Sequence, residues 1–187
     1  MKTAVENMEN EVRQKCLSLL EKTEYYDDEG EWRIAGSDWL LIGGDSLRNL
    51  ARETEQVLGE GARTIMHVAG KRSGEQFSRA LLKKGIKNEG LKFALETFLT
   101  NSGWGKVSAQ VNFQKREATV KIRNSIMARE TKEEKPVCHF INGYIAGVFC
   151  MMFGSGKIDS EETKCTTKGD SFCEFSVHEY CKSESSH

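Results

Sequence analysis

The sequence lacks the short runs that advertise a reaction. No GxGxxG, P-loop, HExxH or GxSxG motif occurs in it, so no nucleotide-binding, zinc-protease or serine-hydrolase chemistry is signalled. It has a single proline, Pro136, and no low-complexity stretch, so nothing marks a linker between separate units. Neither charge sign is in excess, with 27 Lys and Arg against 28 Asp and Glu. A protein that binds nucleic acid through phosphate contacts usually carries a basic surplus, so no nucleic-acid partner is expected. Long apolar runs are missing too: the most apolar stretch, residues 140–153, is too short to span a bilayer and contains Asn142. The first 22 residues mix charges without an apolar core, unlike a signal peptide, so a cytoplasmic protein without a membrane span is expected. Thiols are reduced in that compartment, and the six cysteines then point to metal binding or burial rather than to a disulfide framework.

What is present reads as one α/β domain of the α+β kind, with helices packed against an antiparallel sheet. Residues 3–23 have apolar positions near helical spacing, and two short strand-like runs follow around Trp32 and Trp39. Asp45 or Ser46 can cap a helix striped by Leu47, Leu50, Ala51, Thr54, Val57 and Leu58. A longer helix, residues 61–84, sets Ala62, Ile65, Met66, Ala69, Ser73, Phe77, Ala80 and Leu81 on one face. Its small residues Ala69, Gly70, Ser73 and Gly74 allow close helix approach. A short helix covers residues 89–100. The period then falls to two, with Val107, Ala109, Val111 and Phe113 alternating and Ala118, Val120 and Ile122 repeating the pattern after a polar turn, as in a β-hairpin with one buried face. A helix over 137–153 has Ile141, Ile145, Val148, Phe149 and Met152 as its core stripe, and Gly143 and Gly147 form a flat packing face. Strands at 157–165 and 171–179 close the domain. The divisions are 1–34 as an extension, 35–180 as the domain and 181–187 as a frayed tail.

Three cysteines draw attention. Cys165 and Cys173 flank a turn containing Gly169, and a three-residue loop at 168–170 would make them a cross-strand pair with Cβ atoms ~5 Å apart. Cys138 opens the helix expected to pack on that sheet, and a helix N-terminus favours the thiolate, the metal-binding form. Three thiolates and one further ligand make a tetrahedral zinc site. Spacing leaves the fourth ligand open among Glu161, Glu162, His139, His178 and Cys150. The competing reading is that the three are small buried hydrophobes. A catalytic thiolate would need an adjacent base, and His139 points elsewhere on a helix.

Residues 138–147, the acidic pair Glu161 and Glu162 before Cys165, and the Gly169-Asp170 turn leading to Cys173 and Phe175 together resemble the C-terminal signature of 4-vinyl reductase-like domains. Gly61-Ala62, Ala69-Gly70 and Gly74 are similar to that family's glycine- and alanine-marked helix, so the resemblance covers roughly residues 35–180. It implies a fold like that of TRAPP vesicle-tethering subunits and of sensor domains in phenol- and xylene-responsive activators. In those sensors the resemblance implies a homodimer, an apolar pocket for an aromatic effector, and structural zinc on three cysteines matching Cys138, Cys165 and Cys173. The family's fourth ligand is a glutamate on a preceding strand, and at residues 120–123 this chain offers Val, Lys, Ile and Arg instead.

The expectation is therefore a small-molecule-binding sensory module for a hydrophobic or aromatic ligand, with zinc at the three cysteines and a protein partner for signal output. Phe98, Trp104, Ile122, Phe140 and Tyr144 are the expected pocket residues, since they fall where the short helix, the hairpin and the later helix should meet. The alternatives are a reductase or accessory protein of tetrapyrrole vinyl reduction, suggested by the family name, and a TRAPP-like scaffold subunit. The expected homodimer rests on the family habit and the Gly143/Gly147 face.

Overall fold

A computed structural model describes residues 23–26, 31–34, 37–131 and 133–180, together with residues 10, 14, 17 and 18, which are helical. The rest of the expected N-terminal helix and the expected tail at 181–187 lie outside the described residues. Where two strand-like runs were expected, three short antiparallel strands occur: β1 (Thr23–Tyr26), β2 (Glu31–Ile34) and β3 (Ser37–Trp39). Four helices and a four-stranded antiparallel sheet make up the remainder, which is the expected α+β class. The helices are α1 (Gly44–Leu58), α2 (Glu60–Lys83), α3 (Glu89–Asn101) and α4 (His139–Phe153). The strands are β4 (Lys106–Asn112), β5 (Glu117–Arg123), β6 (Ile158–Lys164) and β7 (Cys173–Glu179), in the order β4-β5-β7-β6.

The β4–β5 hairpin pairs Val107 with Ile122 and Ala109 with Val120, so the alternating residues share one buried face, as the two-residue period requires. Helix α4 lies against this sheet at β6 and β7 and buries every residue of its expected stripe. Neither Asp45 nor Ser46 caps α1; it starts one residue earlier from Gly43, with no side-chain cap.

Helices α2 and α4 meet through their glycines. A Cβ on Gly143 would stand 1.9 Å from the His67 carbonyl oxygen, and one on Gly147 would stand 2.0 Å from that of Lys71. From the other side, a Cβ on Gly70 or Gly74 would meet the carbonyls of Phe140 and Tyr144 at 2.0 and 2.1 Å. The two backbones are thus in van der Waals contact, at a distance no larger residue permits. Two expectations change as a result. The Gly143/Gly147 face is covered within the chain and gives no support to a dimer. The packed line of α2 runs through Ala62, Gly70, Gly74, Ser78 and Leu81, while Ile65 and Ala69 point outward. The closest approach follows the residues without side chains, so the buried line is turned away from the most apolar ones.

A candidate metal centre and an aromatic cluster

Cys138 is the N-cap residue of α4, Cys165 ends the run that begins with β6, and Cys173 opens β7. Cys165 and Cys173 are separated by a short 3-10 turn (Thr166–Lys168) rather than by a three-residue loop. The result is still a convergence: Cys173 Sγ lies 3.8 Å from Cys138 Sγ and 3.9 Å from Cys165 Sγ. Ligands at about 2.3 Å from a tetrahedral ion would stand ~3.8 Å apart. All three cysteines are fully buried.

The fourth position belongs to Glu162. Its carboxylate and the three sulfurs all lie within 4.8 Å of one another, close enough to bind one metal ion. Of the candidates left open by spacing, Glu161 is exposed, and neither it, His139, His178 nor Cys150 belongs to this group. The glutamate sought at 120–123 is therefore found on β6, three residues before Cys165. Alternation alone would send residues 162 and 165 to opposite faces of a strand. A register shift between Glu162 and Lys164 inserts the extra residue that turns both inward. Glu162 Oε2 accepts the Cys138 backbone N–H at 3.1 Å, at the positive end of α4, while its buried Oε1 has no partner among the described residues. An unpartnered buried carboxylate oxygen facing three sulfurs fits a cation.

The protons of the group are strongly coupled. Hydrogen bonds from Cys138 and then Cys173 stabilise a thiolate on Cys165 and hold its pKa far below the usual thiol range. The same neighbour acts the other way on Cys138, which is raised well above the ordinary value first by Cys165, then by Cys173 and by burial. The helix N-terminus was expected to make Cys138 the thiolate; the adjoining negative charge and the loss of solvent outweigh it. Cys138 pulls Cys173 down, but Cys165 and burial push it up to about 11. Burial, followed by Cys165, pushes Glu162 up to about 8. Without a cation, the group resists carrying more than one negative charge.

Three hydroxyls surround the sulfurs, and nothing in the spacing pointed to them. Ser125 Oγ is 3.5 Å from Cys138 Sγ, Thr166 Oγ1 3.7 Å from Cys173 Sγ, and Thr167 Oγ1 3.1 Å from Cys165 Sγ.

The five expected pocket residues divide into two groups. Trp104 and Phe140 stack on each other, with ring centroids 5.5 Å apart at 12°, and Ile122 is fully buried opposite Cys173 in the sheet. Phe98 and Tyr144 join a second group with Trp39 and Phe77, which the sequence reading did not include: Phe98 lies 5.0 Å from Trp39, 4.8 Å from Phe77 and 6.5 Å from Tyr144. In this cluster, Trp39 Nε1 and the Tyr144 hydroxyl are buried without a hydrogen-bond partner among the described residues. Burial pushes the Tyr144 hydroxyl well above the ordinary tyrosine pKa, so it stays neutral. A separate cleft of about 400 Å³ lies between α1, α2 and the segment before α4, with Arg48, Arg52, Glu55, Arg63 and His139 on its walls. Of the expected pocket residues only Phe140 reaches it.

This bulged strand, its 3-10 turn and the paired β5 and β7 all fall within one recognisable unit. Residues 118–179 match the vinyl-4-reductase domain. The 4-vinyl reductase-like resemblance read from the cysteines is thereby confirmed over that stretch. The fold extends the likeness beyond the matched segment. The phenol-responsive sensory domain of the transcription activator PoxR, solved with phenol, aligns with a TM-score of 0.76 at 20% identity, covering 89% of each chain. A vinyl-4-reductase family protein from Methanocaldococcus jannaschii aligns at 0.54 and 21% identity, covering 76% of this chain and 85% of that one. A trafficking protein particle complex subunit 3 from Naegleria fowleri, covalently bound to palmitic acid, has a TM-score of 0.49 at 14% identity, covering 74% of this chain and 97% of that one. No curated protein matches the sequence. None of the helices among the described residues is long and apolar enough to cross a membrane.

Proposed function

We propose that the chain is a small-molecule-binding sensory module whose fold is braced by a structural zinc ion. The observation that carries the ligand reading is the pair of unpartnered polar atoms, Trp39 Nε1 and the Tyr144 hydroxyl, buried among Phe77 and Phe98. A buried polar group without a partner costs roughly 1–3 kcal/mol, which a ligand with an acceptor and a donor would relieve. The aromatic walls suit a flat, neutral ring. The PoxR domain, whose fold this chain shares, is phenol-responsive, and phenol has that chemistry. Titration calorimetry with phenol tests the reading. We expect binding, weakened about fivefold by Tyr144→Phe, the loss of roughly one hydrogen bond. No heat of binding, or equal affinity in Tyr144→Phe and Trp39→Phe, would sink it.

Three thiolates and a carboxylate form a borderline-soft, four-coordinate donor set, which suits zinc. With all four positions supplied by Cys138, Glu162, Cys165 and Cys173, no coordination site is left for a water, so the ion's role is structural. It would tie the N-terminus of α4 to the ends of β6 and β7. Elemental analysis should find one zinc per chain, lost in Cys173→Ser; the same zinc content in that variant would refute the assignment.

The homodimer expectation moves to another surface, α1, which leaves Leu50, Val57 and Leu58 at least half exposed. Light scattering should give twice the chain mass, and a monomer at every concentration would count against it. A cytoplasmic location and a separate output partner complete this reading.

A further inference from the structure

Three thiolates and one carboxylate carry four negative charges, and a divalent ion offsets two of them. The remaining charge sits on fully buried sulfurs, and no Lys or Arg forms an ion pair with Glu162 among the described residues. Charge in a dry site needs hydrogen-bond donors to offset lost solvation. The Cys138 backbone N–H serves Glu162, which leaves the sulfurs to be served by something else.

Resting on the metal reading above, we propose that Ser125, Thr166 and Thr167 are positioning residues of this centre, each donating its hydroxyl proton to a different metal-bound sulfur. The pairing is one to one: Ser125 with Cys138, Thr166 with Cys173, Thr167 with Cys165. A metal-bound thiolate has no proton to give, so in each pair the hydroxyl is the donor. Ser125 is 1% exposed and its hydroxyl has Cys138 Sγ as its partner, so this residue is a serine where an apolar one would pack equally well. Thr166 and Thr167 are adjacent in the 3-10 turn, and its tight geometry aims successive hydroxyls at two different sulfurs. Thr167 has a second acceptor in reach, the Lys135 carbonyl at 2.8 Å. Its single proton is contested, and its contribution is the smallest of the three.

The test uses the full chain loaded with zinc or with cobalt(II). Zinc affinity is read by competition with a coloured chelator, and the cobalt form by its sulfur-to-metal charge-transfer band. Ser125→Ala and Thr166→Val should each weaken zinc about 10- to 100-fold. Both should move the cobalt band to longer wavelength, because a thiolate that loses a donor gives up its electron more easily. Thr166→Ser should restore both readouts, and the unfolding midpoint of the metal-free chain should be unchanged throughout. Variants that bind zinc and absorb like the parent overturn the proposal alone. A metal-free chain destabilised in step with the affinity loss overturns it as well, since the residues would then serve packing. A parent chain that takes up neither ion removes the metal reading, and this proposal with it.

Discussion

Helices α1 and α4 are both fifteen residues long and stand in opposite relations to the fold. Ten residues of α4 are buried, whereas none of α1 is. Yet α1 has the clear apolar stripe in the sequence, and α4 is apolar nearly all round. A stripe separates two faces of a helix but does not say whether the apolar face is covered by the same chain. A helix without a polar face has no such freedom, because only the interior accepts it. The contrast also locates the chemistry. α4 brings Cys138 to the metal centre at its first turn and Tyr144 to the aromatic cluster further along, so it is the rigid element both sites share.

The largest effect that would break this contrast is expected from Gly143→Ala. Its new Cβ would fall 1.9 Å from the His67 carbonyl, and backbone cannot yield as a side chain can. We expect a loss of about 3 kcal/mol or more in chemical denaturation. A loss under about 1 kcal/mol would show that α2 and α4 are not in backbone contact. Next comes metal removal. At a hundredfold excess over its dissociation constant a bound ion adds about 2.7 kcal/mol. A chelator should then lower Tm by about 5–11 °C in a chain of this size. An unchanged melting curve in a chain shown to have held zinc would mean that the ion braces nothing.

Gly61→Ala sharpens the comparison from the opposite side. A Cβ there meets nothing within 4 Å, and the substitution should stabilise α2 by about 0.5–1 kcal/mol. Smaller still is the pH effect at Asp159, which accepts a 2.9 Å hydrogen bond from His67 between α2 and β6. Burial raises its pKa, but the His67 hydrogen bond, the Ser160 amide and the Lys71 charge outweigh that and hold it below the ordinary value. A depressed carboxyl stabilises above its unfolded pKa of about 3.9, and that stability is lost as pH falls through the folded value. With the Asp159 side chain 41% exposed, the effect should be about 0.5 kcal/mol. Asp159→Asn should flatten the acid limb of a stability–pH curve; an unchanged limb would assign it to other groups. The smallest effect is expected from Val57→Ala, 81% exposed on α1, which should stay within about 0.5 kcal/mol in the monomer. A larger loss that grows with protein concentration would place that face in an interface.

How legible the site was depended on the kind of information each residue carried. Cys138, Cys165 and Cys173 were visible because cysteine is scarce and the Gly169-Asp170 turn brings two of them together. Glu162 was one candidate among several because its inward direction depends on a bulge, and a bulge has no composition of its own. Ser125, Thr166 and Thr167 left no signal, since common hydroxyl residues acquire a role only through what lies beside them. Phe98 and Tyr144 were correctly expected near each other, but Trp39 and Phe77 come from segments whose distance along the chain hides their contact. The small residues of the two helices were read as allowing close approach; that they approach each other was not.

The sequence by itself determined the element types, the buried faces of β4, β5 and α4, and the three sulfurs, because periodicity and rare residue types act locally. Only the tertiary structure decided the fourth metal ligand, the membership of the aromatic cluster and the pairing of the glycine faces. Each of these depends on a distance between elements remote in sequence, and packing settles that distance for all of them at once.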